Sequence, residues 1–75
     1  MAQNWIAREM YERMNLRGAS ATAEQIEIAS DIAESLFYDR LSCFSLGIQY
    51  DRLDWNDRMK IYDHILNELH LTNKK

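Results

Sequence analysis

The 75-residue chain contains no proline, only two glycines and a single cysteine. Without proline, and with glycine only at positions 18 and 47, the backbone can form long helices with few interruptions. A single cysteine, Cys43, excludes an intramolecular disulfide, so packing must hold the fold together. Apolar residues make up 47% of the chain, which is enough for one small core. The composition predicts one all-α domain over residues 1–75.

Long apolar runs and an export signal are also missing. No run of about 18 apolar residues occurs, so we predict no membrane-spanning segment. The first residues lack the basic and then apolar pattern of a signal peptide. Together with the free thiol, these observations favour a reducing, cytoplasmic environment.

The two glycines divide the chain into three segments with helical periodicity, which predicts a compact three-helix bundle. The first helix is expected over residues 5–16, with Asn4 as its N-cap and Gly18 as its C-terminal stop. The second is expected over residues 23–46. A break near residues 42–45, which would split this helix in two, is the alternative to one continuous element.

The second and third helices have the clearest start signals. Thr22 and Gln25 fit a capping box, and Asp54 is the expected N-cap of a third helix over residues 55–69. Residues 70–75 are expected to fray. The side chains expected to face the core share one stripe of each helix: Ile6, Ala7, Met10, Tyr11 and Met14; Ile26, Ala29, Ile32, Ala33, Leu36, Phe37, Cys43 and Phe44; and Trp55, Met59, Tyr62, Leu66 and Leu69.

Basic residues are scarce in the second helix, and this scarcity polarises the chain. Residues 19–46 contain five acidic residues and one basic residue, a balance of −4, whereas the whole chain has a net charge of −3. The acids at positions 24, 27, 31 and 34 recur at spacings of three, four and three, so they share one helix face. We call Glu24, Glu27, Asp31 and Glu34 the acidic ridge; Tyr38 and Leu41 continue it.

The acidic ridge has two interpretations. It is either a solvated face that keeps a small domain soluble, or an electrostatic docking surface for a basic partner. Two apolar side chains, Trp5 and Leu16, lie opposite the core stripe of the first helix, where they either pack within the chain or contact a partner. The predicted partner-binding residues are Glu24, Glu27, Asp31, Glu34, Tyr38, Leu41, Trp5 and Leu16.

No constellation of side chains predicts catalysis, a metal or a cofactor. The acids of "DRLDWND" (residues 51–57) lack the alternating ligands, central glycine and terminal glutamate of a calcium loop. His64 and His70 do not share a helix face, and zinc needs more ligands than these. Cys43 lies on the apolar face without a neighbouring base. The chain is therefore predicted not to be an enzyme.

These observations favour a small, acidic, non-enzymatic module that binds a larger basic protein, such as a nucleic-acid enzyme or complex, and inhibits or regulates it by occlusion. Phage-encoded inhibitors, including anti-CRISPR proteins, are often this small and acidic, which is an argument from size and charge alone. Direct nucleic-acid or membrane binding is not expected, because phosphate contacts need clustered Lys and Arg.

Two alternatives remain open. A self-associating structural protein would bury Trp5, Leu16 and Leu41 between the copies of a homodimer. A helix-turn-helix regulator would place the third helix in a DNA groove, although that helix is electrically neutral.

Overall fold

The computed structural model describes residues 3–50 and 53–71, and every regular element in these two ranges is a helix. The all-α prediction is confirmed. The elements, in chain order, are α1 (Asn4–Leu16), α2 (Ala23–Phe37), α3 (Arg40–Ser45) and α4 (Trp55–Glu68). Residues 72–75, which belong to the tail expected to fray, lie outside the described residues, as do residues 51–52 of the α3–α4 linker.

The three long helices form the bundle, and the short α3 packs against α2. Helices α1, α2 and α4 contact each other pairwise, so α2 has neighbours on two sides, as its wide apolar stripe predicts. The buried side chains of the core are Ile6, Met10, Met14, Ala29, Ala33, Phe37, Cys43, Ile48, Met59, Ile61, Tyr62, Ile65 and Leu66.

The second predicted helix is broken, but at residues 38–39 and not at residues 42–45, which are helical. Asp39 has an extended backbone and acts as the N-cap of α3. Its carboxylate accepts hydrogen bonds from the N–H groups of Leu41 and Ser42 and from the Ser42 hydroxyl. A side chain that satisfies the first free N–H groups lets a new helix begin at this point.

Three aromatic side chains predicted to face the core are exposed instead: Tyr11, Phe44 and Trp55. For Phe44 the break at Asp39 supplies the reason. It resets the direction of α3 so that Cys43 is buried, and the next side chain, turned by about 100°, faces water. Tyr11 lies at an edge of its stripe, and Trp55 is the first residue of α4, at the end of its stripe.

The helix N-termini follow the predicted caps in two cases out of three. Thr22 and Gln25 form the reciprocal capping box of α2, and the Asp54 carboxylate accepts from the Asp57 N–H at the start of α4. Asn4 is not the N-cap of α1, because Gln3 occupies that position and makes no capping hydrogen bond through its side chain.

Three helices end in the same hydrogen-bonded turn, which places its central residue in the left-handed region. Gly18, Gly47 and His70 have φ angles of 69°, 74° and 57°. In each turn the next N–H bonds back to a carbonyl five residues earlier, for example Ile48 to Cys43 at 2.9 Å and Leu71 to Leu66 at 2.8 Å. Glycine fits this geometry without strain, whereas histidine does not.

Candidate functional site

The acidic ridge lies along α2 as predicted, but only its first half is fully in water. Glu24 and Glu27 are exposed, whereas Asp31 and Glu34 are half-buried. One carboxylate oxygen of Asp31 has no contact with solvent. The most exposed negative charge of the ridge therefore lies in the first two turns of α2, where a basic partner would contact it.

Beyond the ridge, the chain exposes three large side chains within seven residues. Tyr38 is 67% exposed, Leu41 79% and Phe44 82%. Leu41 and Phe44, three residues apart on α3, share one face of that helix, and Tyr38 is the residue that follows α2. We call these three residues the apolar strip. Sequence reasoning found Tyr38 and Leu41 but assigned Phe44 to the core. The available signal was Asp39, because aspartate is strongly preferred at helix N-caps.

Trp5 and Leu16 do not form one surface. Leu16 is 73% exposed, but it lies at the other end of α1, about 16 Å from Trp5 at 1.5 Å per residue. Trp5 is 42% exposed and packs within the chain: its indole stacks on the Phe37 ring, with centroids 5.9 Å apart. The Arg58 guanidinium lies 5.7 Å from the Trp5 ring on the α4 side.

A polar cluster that sequence reasoning missed joins α1 to α4. The Glu9 carboxylate accepts hydrogen bonds from Arg58 at 2.9 and 3.0 Å and from the Tyr62 hydroxyl at 2.7 Å. Burial alone would raise the pKa of Glu9, but the hydrogen bonds from Arg58 and Tyr62 and the Arg58 charge together lower it. Burial and the adjacent Glu9 carboxylate raise the pKa of Tyr62 far above its ordinary value.

A second cluster joins the same two helices one turn further along. Asp63 accepts hydrogen bonds from Arg13 at 2.8 and 2.7 Å and pairs with Arg17 at 2.8 Å. Burial acts to raise the pKa of Asp63, but the two guanidinium groups outweigh it and the pKa is lowered. Asp63 is not among the residues of the predicted core stripe of its helix. No signal in one helix reveals a partner that lies 50 residues away.

These clusters use half of the positive charge in the described part of the chain. Of its six Arg and Lys side chains, four lie against a carboxylate or an aromatic ring: Arg13, Arg17 and Arg58 against carboxylates, and Arg40 against Tyr50. Within the same residues, Glu24 and Glu27 have no ion-pair partner. Cations thus gather at the α1–α4 contact, and negative charge is left on α2.

The remaining candidate chemistry is sparse. The Cys43 thiol is buried and donates to the Leu36 carbonyl at 3.4 Å. Burial, and then the charges of Asp39 and Asp57, raise the pKa of Cys43, which makes the thiolate harder to form. Across residues 3–50 and 53–71, no three His, Cys, Asp or Glu side chains lie together as metal ligands would. None of the described helices has the length and apolar character that crossing a membrane requires.

Comparisons with protein-family models, with curated proteins and with solved structures each found no match for this chain.

Proposed function

We propose that the protein is a non-enzymatic binding module that docks on a basic surface of a larger protein. The observation that carries this proposal is the apolar strip, in which Tyr38, Leu41 and Phe44 are each more than two thirds exposed. Scattered exposed apolar residues are ordinary, but three large exposed side chains within seven residues are typical of an interaction surface.

The energetics favour such a role for the strip. Fully burying one large apolar side chain contributes about 1.5–3 kcal/mol, and aromatic side chains often dominate the binding free energy of an interface. Because the three strip residues are mostly exposed, they contribute little of this burial free energy to folding. Most of it would be gained on binding a partner that covers them.

The charge distribution favours a basic partner. Glu24 and Glu27 lie at the start of α2, about 16 Å or more along its axis from Tyr38, and are not neutralised by described cations. Uncompensated charge of one sign speeds association with a surface of the opposite sign. The partner would present Lys or Arg to α2 and an apolar pocket to the strip.

Occlusion is the simplest mechanism for a module of this kind. A rigid acidic body can cover a nucleic-acid-binding surface without any chemical step, and it would inhibit or regulate the covered enzyme. A phage-encoded inhibitor of the anti-CRISPR type, acting in the cytoplasm, fits this description through size and charge alone. Binding of DNA by the protein itself is disfavoured, because three of the six described basic side chains already pair with carboxylates.

The test is capture from a bacterial lysate at low and high salt, followed by reconstitution with the purified partner. Two variants probe the surface: Glu24→Lys/Glu27→Lys for the ridge and Tyr38→Ser/Leu41→Ser for the strip. The matched controls are Glu12→Lys/Glu68→Lys, which makes the same change in net charge on exposed residues elsewhere, and Leu16→Ser.

We expect one basic protein to bind the wild type and both controls, to be released by salt, and to bind neither surface variant. Equal binding by surface variants and controls would overturn the proposal. A concentration-dependent dimer in light scattering that Tyr38→Ser/Leu41→Ser disrupts, with no partner captured, would assign the strip to self-association instead.

A further inference from the structure

A concavity of the described chain lies between α3 and the loop that follows it. It is an open groove of about 470 Å³, lined by Arg40, Phe44, Ile48, Gln49 and Tyr50. Ile48 is buried and forms part of the floor. The volume is within the range of roughly 300–1,000 Å³ that is typical of ligand sites. The groove shares only Phe44 with the apolar strip.

Arg40 gives the groove its chemistry. Its guanidinium lies 5.2 Å from the centre of the Tyr50 ring, a cation–π contact that fixes where the side chain lies. Unlike Arg13, Arg17 and Arg58, it pairs with no carboxylate among the described residues. A planar guanidinium held over a ring presents its N–H edges for bidentate recognition of a carboxylate.

The nearest acid in the sequence does not compete for Arg40. The Asp39 carboxylate accepts three hydrogen bonds from Leu41 and Ser42 at the start of α3. These bonds lower the pKa of Asp39, the one from the Ser42 hydroxyl most strongly. Asp39 is thereby committed to its own helix, and Arg40 keeps its donors for a ligand.

We propose that this groove binds the C-terminal residue of a partner polypeptide when that residue is apolar. Its carboxylate would lie against the Arg40 guanidinium and its side chain among Phe44, Ile48 and Tyr50, while Gln49 offers an amide to the peptide backbone. This goes beyond the docking function proposed above, because the ligand has the opposite charge and the site uses Arg40 and not the ridge.

The pairing of Arg40 with apolar lining residues favours a chain end over an internal acidic residue. In an extended peptide, successive side chains point to opposite faces, so an internal Asp or Glu and its apolar neighbour do not face the same surface. At a C-terminus, the carboxylate and the apolar side chain leave the same α carbon. One residue therefore supplies both groups that the groove can contact.

The experiment is a titration of the ¹⁵N-labelled full chain followed by amide chemical shifts. The probes are N-acetyl-Ala-Ala-Phe with a free carboxylate, the same peptide as its C-terminal amide, and the internal acid N-acetyl-Phe-Asp-Ala-amide. The variants are Arg40→Gln and Arg40→Lys, with Arg8→Gln as control. Both arginines are exposed, so all three variants should keep the helical circular dichroism of the wild type.

We expect saturable shifts at residues 44 and 48–50 with the free acid, and affinity lower by about fivefold or more for the amide. Arg40→Gln should remove the preference for the acid, Arg40→Lys should weaken it, and Arg8→Gln should leave it unchanged. Equal affinity for acid and amide, an Arg40→Gln variant that still prefers the acid, or no saturable shift in the groove would overturn the proposal. Tighter binding of the internal acid would overturn the assignment to a chain end. None of these results depends on the acidic ridge, so the two proposals can fail separately.

Discussion

The α1–α4 contact and the α2–α3 surface use polar residues in opposite ways. Across the α1–α4 contact, every side-chain hydrogen bond joins residues 49 to 53 positions apart, as in the bonds of Glu9 with Arg58 and Tyr62. In α2 and α3 the recorded side-chain bonds are local. Asp39 bonds to residues two and three positions on, and the longest reach is seven positions, from Cys43 to Leu36.

The polar side chains of the α1–α4 contact therefore specify how the helices pack, whereas those of α2 and α3 do not join distant parts of the chain in the bonds described above. The charge pairs of the α1–α4 contact are partly buried and fix how the two helices lie against each other, since a shift would leave a charge desolvated without a partner. Most of the local bonds of α2 and α3 lie at helix ends. The exposed side chains of Tyr38, Leu41 and Phe44 make none of these bonds and are available to a partner.

The largest expected effect on stability comes from removing the Glu9 charge at the α1–α4 contact. Glu9→Gln removes the charge that faces Arg58, in a pair whose side chains are only 20% and 23% exposed. Hydrogen bonds to charged groups contribute about 1.5–3 kcal/mol, so we expect the free energy of unfolding to fall by about 2 kcal/mol. Urea unfolding measures this. Glu12→Gln, an exposed neutralisation on the same helix, should change it by less than about 0.5 kcal/mol, and equal effects would mean that the pair is not structural.

Acid should weaken the same contact. The pKa values of Glu9 and Asp63 are lowered in the folded state, so their contributions are fully present above the ordinary pKa values of 4.5 and 3.8 and are lost as the pH falls through the folded values. Unfolding measured against pH should show the wild type more stable than Glu9→Gln/Asp63→Asn near neutrality. The difference should shrink below about pH 4; a constant difference down to acid pH would contradict this.

A matched pair of substitutions compares the helix ends of the two halves. Gly47 ends α3 and His70 follows α4 in the same left-handed turn. A methyl group added at Gly47 would meet no atom within 4 Å, so Gly47→Ala measures backbone strain alone. We expect it to cost about 1 kcal/mol, and His70→Gly to stabilise the fold by about 0.5–1 kcal/mol. A melting temperature that falls for Gly47→Ala and rises for His70→Gly would support the common turn. A lower melting temperature for His70→Gly would refute it.

The smallest effect on stability should come from the apolar strip. Tyr38→Ser/Leu41→Ser replaces two side chains that are mostly exposed, and surface substitutions usually change stability by no more than about 0.5 kcal/mol. Urea unfolding should therefore be nearly unchanged, although partner capture is lost. A loss above about 1 kcal/mol would mean that the strip contributes to the fold, and the contrast between the two halves would then disappear.

Local rules explain why much of the fold could be predicted from the sequence. The capping box at Thr22 and Gln25, the cap at Asp54 and the stops at Gly18 and Gly47 depend on neighbours within a few residues. The second start at Asp39 depends on the same rules. It was missed because apolar residues continue on both sides of it, and periodicity alone favoured one long helix.

The candidate site could be predicted only in part. The acidic ridge and two residues of the apolar strip follow from spacing along a single helix. The third, Phe44, faces water because α3 starts in a new direction. The groove at Arg40 exists because the loop after α3 brings Tyr50 back beside it.

By itself, the sequence determined the helical class, most helix ends and the concentration of negative charge on α2, because each depends on composition or on contacts within about one turn. Only the tertiary structure decided which charged side chains form ion pairs and which face solvent. The partners of Glu9 and Asp63 come from another helix, and the exposure of Leu41 and Phe44 depends on how α3 packs. Both depend on distances between residues far apart in the chain, which no local pattern encodes.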